Sequence, residues 1–141
     1  MLCQDIMKAN VKWAQPQSTI AEVAALMRDE RIGFVPVCDQ AGKVVGTLTD
    51  RDIVIRVVAA RESIDQRVER FMSTNVVSCR ADDEVGIAQD LMSDLQISRI
   101  VCLNEQGRLE GVVSLSDVAQ LGPSVAASET LENVSAREAH T

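Results

Sequence analysis

Two short stretches hold residue types that could do chemistry together. Gly46-Thr-Leu-Thr-Asp-Arg-Asp-Ile53 places a hydroxyl, Thr49, three residues before a carboxylate, Asp52. Gly111-Val-Val-Ser-Leu-Ser-Asp-Val118 repeats the arrangement 65 residues later with Ser114 and Asp117. Each stretch reads as a β-strand running into the first turn of a helix. A helix start offers unpaired N–H groups and partial positive charge, which suit a phosphate, and the hydroxyl adds a donor. The aspartate would repel a phosphate but can accept two hydrogen bonds from a ribose diol. Diol and phosphate together describe a nucleotide. The same spacing is also that of a capping box, in which hydroxyl and acid satisfy each other's backbone N–H groups. The motif alone leaves both readings open. Gly46 and Gly111 mark a bulge or the close approach of a ligand or of backbone.

The elements that must position these residues follow from the repeat. A shift of 65 aligns residues 5–56 with 70–121 without a gap, and ten pairs are identical, among them Met7/Met72, Gly42/Gly107, Gly46/Gly111 and Asp52/Asp117. Each copy opens with an extended piece, Asn10-Val-Lys-Trp13 or Asn75-Val-Val-Ser78. A polar loop follows, then a helix with one apolar face at Ile20, Val23, Ala24 and Met27, repeated at Val85, Ala88 and Met92. Ser18 or Thr19, and Asp82 or Asp83, are the expected N-caps. Two apolar runs then flank Asp39-Gln-Ala-Gly42 or Asn104-Glu-Gln-Gly107, a type I turn closing a hairpin. Pro36 within its run points to an edge or a bulge. A second helix is expected through Val54–Ala60 and Val118–Leu121.

The expected fold class is α+β: two β-α-β-β-α repeats packed sheet to sheet with pseudo-twofold symmetry, since a lone copy would leave one sheet face bare. The expected domains are 1–61 and 68–121, joined by a polar connector at 62–67. Residues 122–141 form a tail, frayed or carrying a short helix over 128–139 through Leu131 and Val134.

Composition narrows the function. A net charge of −7 with scattered Lys and Arg, no Tyr, two Phe and one Trp offers neither a phosphate-neutralising stripe nor an aromatic platform for nucleic acid. No apolar run reaches the roughly 18–20 residues of a membrane span, and the N-terminus lacks a signal peptide's pattern, so a cytoplasmic location is expected. Cys3, Cys38, Cys79 and Cys102 form no C-x-x-C pair, and the sole histidine, His140, lies in the tail. That spacing argues against a zinc site, and no metal is expected. Cys38 and Cys102 sit in apolar runs and read as buried, inert thiols. Cys3 or Cys38 could instead serve a thiol redox sensor. Nothing resembles a nucleophile–base pair, which argues against an enzyme.

Repeated units of this order, each ending in Gly-x-x-[Ser/Thr]-x-x-Asp, resemble a pair of cystathionine-β-synthase (CBS) domains, the Bateman module, over about residues 5–121. Thr49-Asp-Arg-Asp-Ile-Val is similar to stand-alone bacterial CBS-pair proteins. Gly111-Val-Val-Ser-Leu-Ser-Asp-Val is similar to the adenylate-sensing gamma subunit of AMP-activated protein kinase. The resemblance implies clefts between the repeats for adenosyl compounds such as AMP, ADP, ATP, S-adenosylmethionine or NAD(H), with no obligatory cofactor. It assigns phosphate and ribose contacts to Thr49, Asp52, Ser114 and Asp117, and base contacts to Val11, Lys12, Val76 and Val77. It adds a polar contribution from Ser18 and a phosphate contact from Arg99. The first copy has Phe34 at the position of Arg99, and Arg51 could substitute. Trp13 could flank an adenine, although core packing is the expected role. A homodimer that signals to an effector protein is implied. The rival reading is a dimeric scaffold with helix caps and no ligand.

Overall fold

Asp39 and Asn104 set the two hairpins. Asp39 Oδ1 accepts the N–H groups of Ala41 (2.9 Å) and Lys43 (3.0 Å). Asn104 Oδ1 accepts those of Gln106 (2.9 Å) and Arg108 (3.0 Å). Gly42 (φ 82°) and Gly107 (φ 78°) take the left-handed position that closes each turn. In this computed structural model, which describes residues 1–121 and 132–135, the turns join β1 (Phe34–Cys38) to β2 (Val44–Thr49) and β4 (Arg99–Leu103) to β5 (Leu109–Ser114). Each antiparallel pair carries a bulge at the equivalent place, after Val37 and after Cys102.

The chain divides into two compact units, and these cut it elsewhere than the sequence repeat does. One, the Thr49 unit, is Lys12–Val76; the other, the Ser114 unit, joins Met1–Val11 to the chain from Val77 onward. The opening segment of each repeat thus serves the unit that holds the other repeat's hairpin. Lys8 exchanges backbone hydrogen bonds with Val112 (3.0 and 3.1 Å), and Ser73 exchanges them with Thr47 (2.9 Å each). The free edges of β5 and β2 are satisfied in this way. Residues 62–67 are correspondingly more than a polar connector. The carbonyls of Gln66 and Ile64 accept the N–H groups of Ile20 (3.0 Å) and Ala21 (2.9 Å), which would be orphaned at a helix start.

In the Ser114 unit β3 (Ser78–Arg80) runs parallel to β4, giving the order β3-β4-β5. The expected first strand at residues 10–13 does not form in the Thr49 unit, where pairing shrinks to one bridge between Ala14 and Val37. Pro36 supplies the reason. Its equivalent, Val101, donates its N–H to Val77 O (3.3 Å), and proline has no N–H to give. Pro36 still accepts from Ala14 N–H (2.9 Å), so the segment is held at a single point.

Helix α2 (Ile20–Glu30) is capped by Thr19, whose hydroxyl accepts Glu22 N–H (3.1 Å). Helix α4 (Val85–Leu95) is capped by neither Asp82 nor Asp83. Its N-cap is Glu84, and Val85 N–H goes to Met1 O (2.9 Å). Asp83 instead closes the preceding loop by accepting Arg80 N–H (2.7 Å). Ile20, Val23 and Met27 are buried with Val35, Val37, Leu48, Val57, Val68 and Phe71. Ala24, expected on that face, is exposed, whereas its equivalent Gln89 is buried. Val85, Ala88 and Met92 line the second core with Ile6, Ile100, Val113 and Val118.

After the first motif, α3 (Asp50–Asp52) passes into a wider π-helical stretch, Ile53–Val58. Five of its six residues are β-branched, and their crowding against the preceding turn is relieved by i→i−5 bonding, as in Ala59 N–H to Val54 O (2.8 Å). Only Val57 is buried there; Val54, Ile55 and Val58 face solvent. After the second motif α5 (Leu115–Leu121) is α-helical. A short helix, α1 (Cys3–Ile6), opens the chain. Of the expected tail element, residues 132–135 are helical, with Val134 buried and Asn133 Nδ2 donating to Ser93 Oγ (2.9 Å). The rest of 122–141 lies outside the described residues. Among the described residues no helix is long and apolar enough to cross a membrane.

Candidate functional site: two strand–helix junctions and a thiol cluster

Both motifs form complete capping boxes. In the Thr49 unit, Asp52 N–H donates to Thr49 Oγ1 (3.1 Å) and Thr49 N–H donates to Asp52 Oδ2 (2.9 Å). In the Ser114 unit, Asp117 N–H donates to Ser114 Oγ (3.1 Å) and Ser114 N–H donates to Asp117 Oδ2 (3.0 Å). A box leaves spare capacity. Each hydroxyl accepts one bond and keeps its own O–H to donate, and each carboxylate keeps Oδ1. Asp52 Oδ1 lies 3.8 Å from the Arg56 guanidinium, and Asp117 Oδ1 lies 3.9 Å from Lys8 Nζ. Both cations are remote and exposed, so they bias the carboxylates weakly. The box fixes the acid, and its second oxygen remains usable.

The glycines of the motif make room for protein. A Cβ at Gly111 would lie 2.6 Å from Lys8 O and 2.7 Å from Met7 Sδ; at Gly46 it would lie 2.5 Å from Met72 Sδ and 3.0 Å from Ser73 O. The identical pairs Met7/Met72 and Gly46/Gly111 therefore explain each other. Each methionine crosses the glycine of the other repeat's hairpin.

The junctions differ in charge. Arg99 stands directly across the β4–β5 pair from Ser114, and Phe34 stands across from Thr49. Asp50 begins α3 where Leu115 begins α5. Three N–H groups at the start of α3 are already taken: Asp50 to Gly33 O (3.0 Å), Arg51 to Asp50 Oδ1 (2.8 Å) and Asp52 to Thr49 Oγ1. At the start of α5 the equivalent N–H groups of Leu115 and Asp117 are likewise taken, by Ser98 O (2.8 Å) and Ser114 Oγ. The junctions therefore differ in the second carboxylate that Asp50 adds and in its hold on the Arg51 N–H. Arg51 is exposed, beside that second carboxylate.

The remaining expected residues are dispersed. Ser18 Oγ accepts Gln15 N–H (3.1 Å) and its carbonyl accepts Val68 N–H (2.8 Å), so it staples its loop. Lys12 is exposed; Val11, Val76 and Val77 are half-buried, with Val77 against the Ser114-unit core. Among the described residues no hydrogen bond joins any of these to the Thr49 or Ser114 boxes. Trp13 is 45% exposed and takes no part in a core, which corrects its expected packing role.

One constellation was not legible in residue spacing. Cys3, on α1, is buried, and Cys79 Sγ lies 3.7 Å from both Cys3 Sγ and Cys102 Sγ. All three sulfurs lie within 4.8 Å of one another. Sequence separations of 76 and 23 hid the group. Hydrogen bonds from Cys102 and Cys79 push Cys3 down to about 4, favouring its thiolate. The bond to Cys3, then burial, pushes Cys102 up to about 12 against a lowering from Cys79. The bonds to Cys102 and Cys3, then burial, push Cys79 up as well. Cys38 sits apart in the other unit, and burial pushes its thiol up to about 11.

Comparison with known proteins places these features. The CBS domain family matches residues 3–59 and 68–124. The chain is 36% identical to the CBS domain-containing protein YhcV of Bacillus subtilis over 139 residues, 97% of each chain. It is 32% identical to the uncharacterized protein MK0525 of Methanopyrus kandleri over 120 residues, 84% of this chain and 61% of that one. Among solved structures, Hypoxic Response Protein I with two coordinated zinc ions superposes with a TM-score of 0.79 at 29% identity, covering 87% of this chain and all of that one. The CBS domain pair of MJ0100, in complex with 5′-methylthioadenosine and S-adenosyl-L-methionine, gives 0.77 at 27% identity, covering 86% and 94%. The chain belongs to the CBS-domain family and carries two copies of the domain.

Proposed function

We propose that this chain is a regulatory module that binds adenosyl compounds and is not an enzyme. The observation that carries the reading is the spare Oδ1 and hydroxyl proton of each capping box. A fixed carboxylate can accept a ribose diol without giving up its structural role. The adenosyl ligands of the MJ0100 domain pair support the ligand class. The Ser114 junction, with Arg99 across from the hydroxyl, suits a phosphorylated ligand such as AMP, ADP or ATP. The Thr49 junction, with Phe34 and Asp50, suits an uncharged or cationic one, methylthioadenosine or S-adenosylmethionine. Val11, Lys12, Val76 and Val77 take the base, and Ser18 and Arg51 contribute at the Thr49 junction. Ligand acts by favouring one arrangement of the protein, read by an effector protein or through a homodimer. Exposed Val54, Ile55 and Val58 offer an apolar surface for the second copy.

Thermal unfolding against AMP, ATP, S-adenosylmethionine, methylthioadenosine and NADH tests this. A ligand bound only by the folded chain stabilises it by about 2.7 kcal/mol at a hundred times its Kd, a shift of several degrees. The shift for phosphorylated ligands should vanish in Asp117→Asn. The completed boxes also favour a second reading, a dimeric scaffold with structural caps alone. Absence of any shift in the wild-type protein would select it.

A further inference from the structure

We propose that Cys3, Cys79 and Cys102 form a binding site for a thiophilic, three-coordinate ion. The shared fold does not require sulfur there. At the 65-residue shift the same three positions in the Thr49 unit are Val68, Ala14 and Val37, all buried in its core. Two interiors of one design thus differ by three thiols brought to one point.

The geometry suits an ion. Three thiolates about 2.3 Å from a common centre place their sulfurs about 3.8–4.0 Å apart. Here two of the separations are 3.7 Å and all fall within 4.8 Å. Soft ligands of this kind select soft ions. Cys3 and Cys102 are fully buried and Cys79 is 7% exposed, with Ile6, Met92, Ile100 and Val113 in the same cluster. An apolar wall offers no water as a fourth ligand and makes excess charge costly. With arsenite, As(OH)3, three As–S bonds replace three As–O bonds and the thiol protons leave with the hydroxides as three waters, giving a neutral site. With Cu(I) the protons go to solvent and the site keeps two negative charges. Entry is by way of α1, a four-residue helix held by Cys3 N–H to Asp83 O (2.8 Å) and Gln4 N–H to Ala81 O (2.8 Å). Local opening of so short an element exposes the sulfurs.

The test is titration of the reduced, full-length protein, without oxygen, with arsenite, with chelator-buffered Cu(I) and with Zn(II). The readouts are thiolate-to-ion charge-transfer absorption and bound ion per chain. One equivalent of arsenite or Cu(I) is expected, retained in Cys38→Ser and reduced at least tenfold in affinity in Cys3→Ser and Cys79→Ser. Should a variant fail to fold, X-ray absorption of the loaded wild-type protein decides, with three sulfur neighbours and no nitrogen or oxygen expected. No binding of either ion, binding that survives loss of the cluster, a mixed shell, or Zn(II) held more tightly than both would overturn the assignment. The three cysteines would then be small apolar core residues.

Discussion

The Thr49 and Ser114 units are built to one plan and dressed differently. They share the Asx-stabilised hairpin turn, the left-handed C-cap (Arg31, φ 55°; Gln96, φ 53°), the glycine under a crossing methionine and the capping box. They differ at Phe34/Arg99, Asp50/Leu115, Pro36/Val101 and the Val68-Ala14-Val37/Cys3-Cys79-Cys102 triplet. What is shared satisfies backbone groups and close contacts. What differs alters charge and soft-ligand chemistry at two places, the junction and the interior. The shared set holds the backbone and gives both junctions the same spare carboxylate oxygen and hydroxyl. The differing set distinguishes what each junction and each interior can select.

The largest effect should come from the shared glycines. Gly111→Ala drives a Cβ to 2.6 Å from the Lys8 carbonyl, a backbone atom that cannot move without parting the Lys8–Val112 pair. A loss of about 3 kcal/mol is expected from chemical denaturation. Gly46→Ala meets mainly the flexible end of Met72 and should cost less, with partial recovery in Gly46→Ala/Met72→Ala. Equal costs, without recovery in the double variant, would contradict this distinction between a backbone and a side-chain obstacle.

A lone buried thiol provides the next comparison. Cys38 holds its proton to about pH 11, whereas an unfolded cysteine ionises near 9.0. Its contribution is therefore fully present below pH 9 and lost as pH rises toward 11. By linkage the loss is about 2–3 kcal/mol. A denaturation series from pH 8 to 11 should fall by about that much less in Cys38→Ala, while the part of the fall set by Cys79 and Cys102, which are also pushed up, remains.

Thr49→Ala and Ser114→Ala should each cost about 1 kcal/mol, the usual worth of an N-cap, measured by the same denaturation. A clearly larger loss at one of them would mean that its hydroxyl supports more than the cap. Pro36→Val should have the smallest effect, a few tenths of a kcal/mol in either direction, because edge pairing changes little net stability. Hydrogen exchange should nonetheless show a newly protected N–H at residue 36 if the missing donor is what shortens the pairing at Ala14.

Much of this was legible in the sequence because its signals were local. Asp39 with Gly42, Thr19 before α2, and the repeated Ser/Thr-x-x-Asp act over three or four residues, where spacing determines geometry. The exchange of opening segments, the roles of Ile64 and Gln66 carbonyls, and the thiol cluster depend on residues far apart in the chain. One local signal did carry long-range content: Pro36 marked the edge at which the first strand is lost. The paired identities of Met7 with Met72 and Gly46 with Gly111 carried more, since each methionine touches the glycine of the other copy.

The central claim is that the two junctions differ in the ligand they accept. Calorimetric titration of wild-type protein and Arg99→Gln with AMP and with 5′-methylthioadenosine tests it most directly, because the ligands share an adenosine and differ in phosphate. The expected result is at least a tenfold loss of AMP affinity in Arg99→Gln with methylthioadenosine binding unchanged. Equal losses for both ligands, or none for AMP, would contradict it.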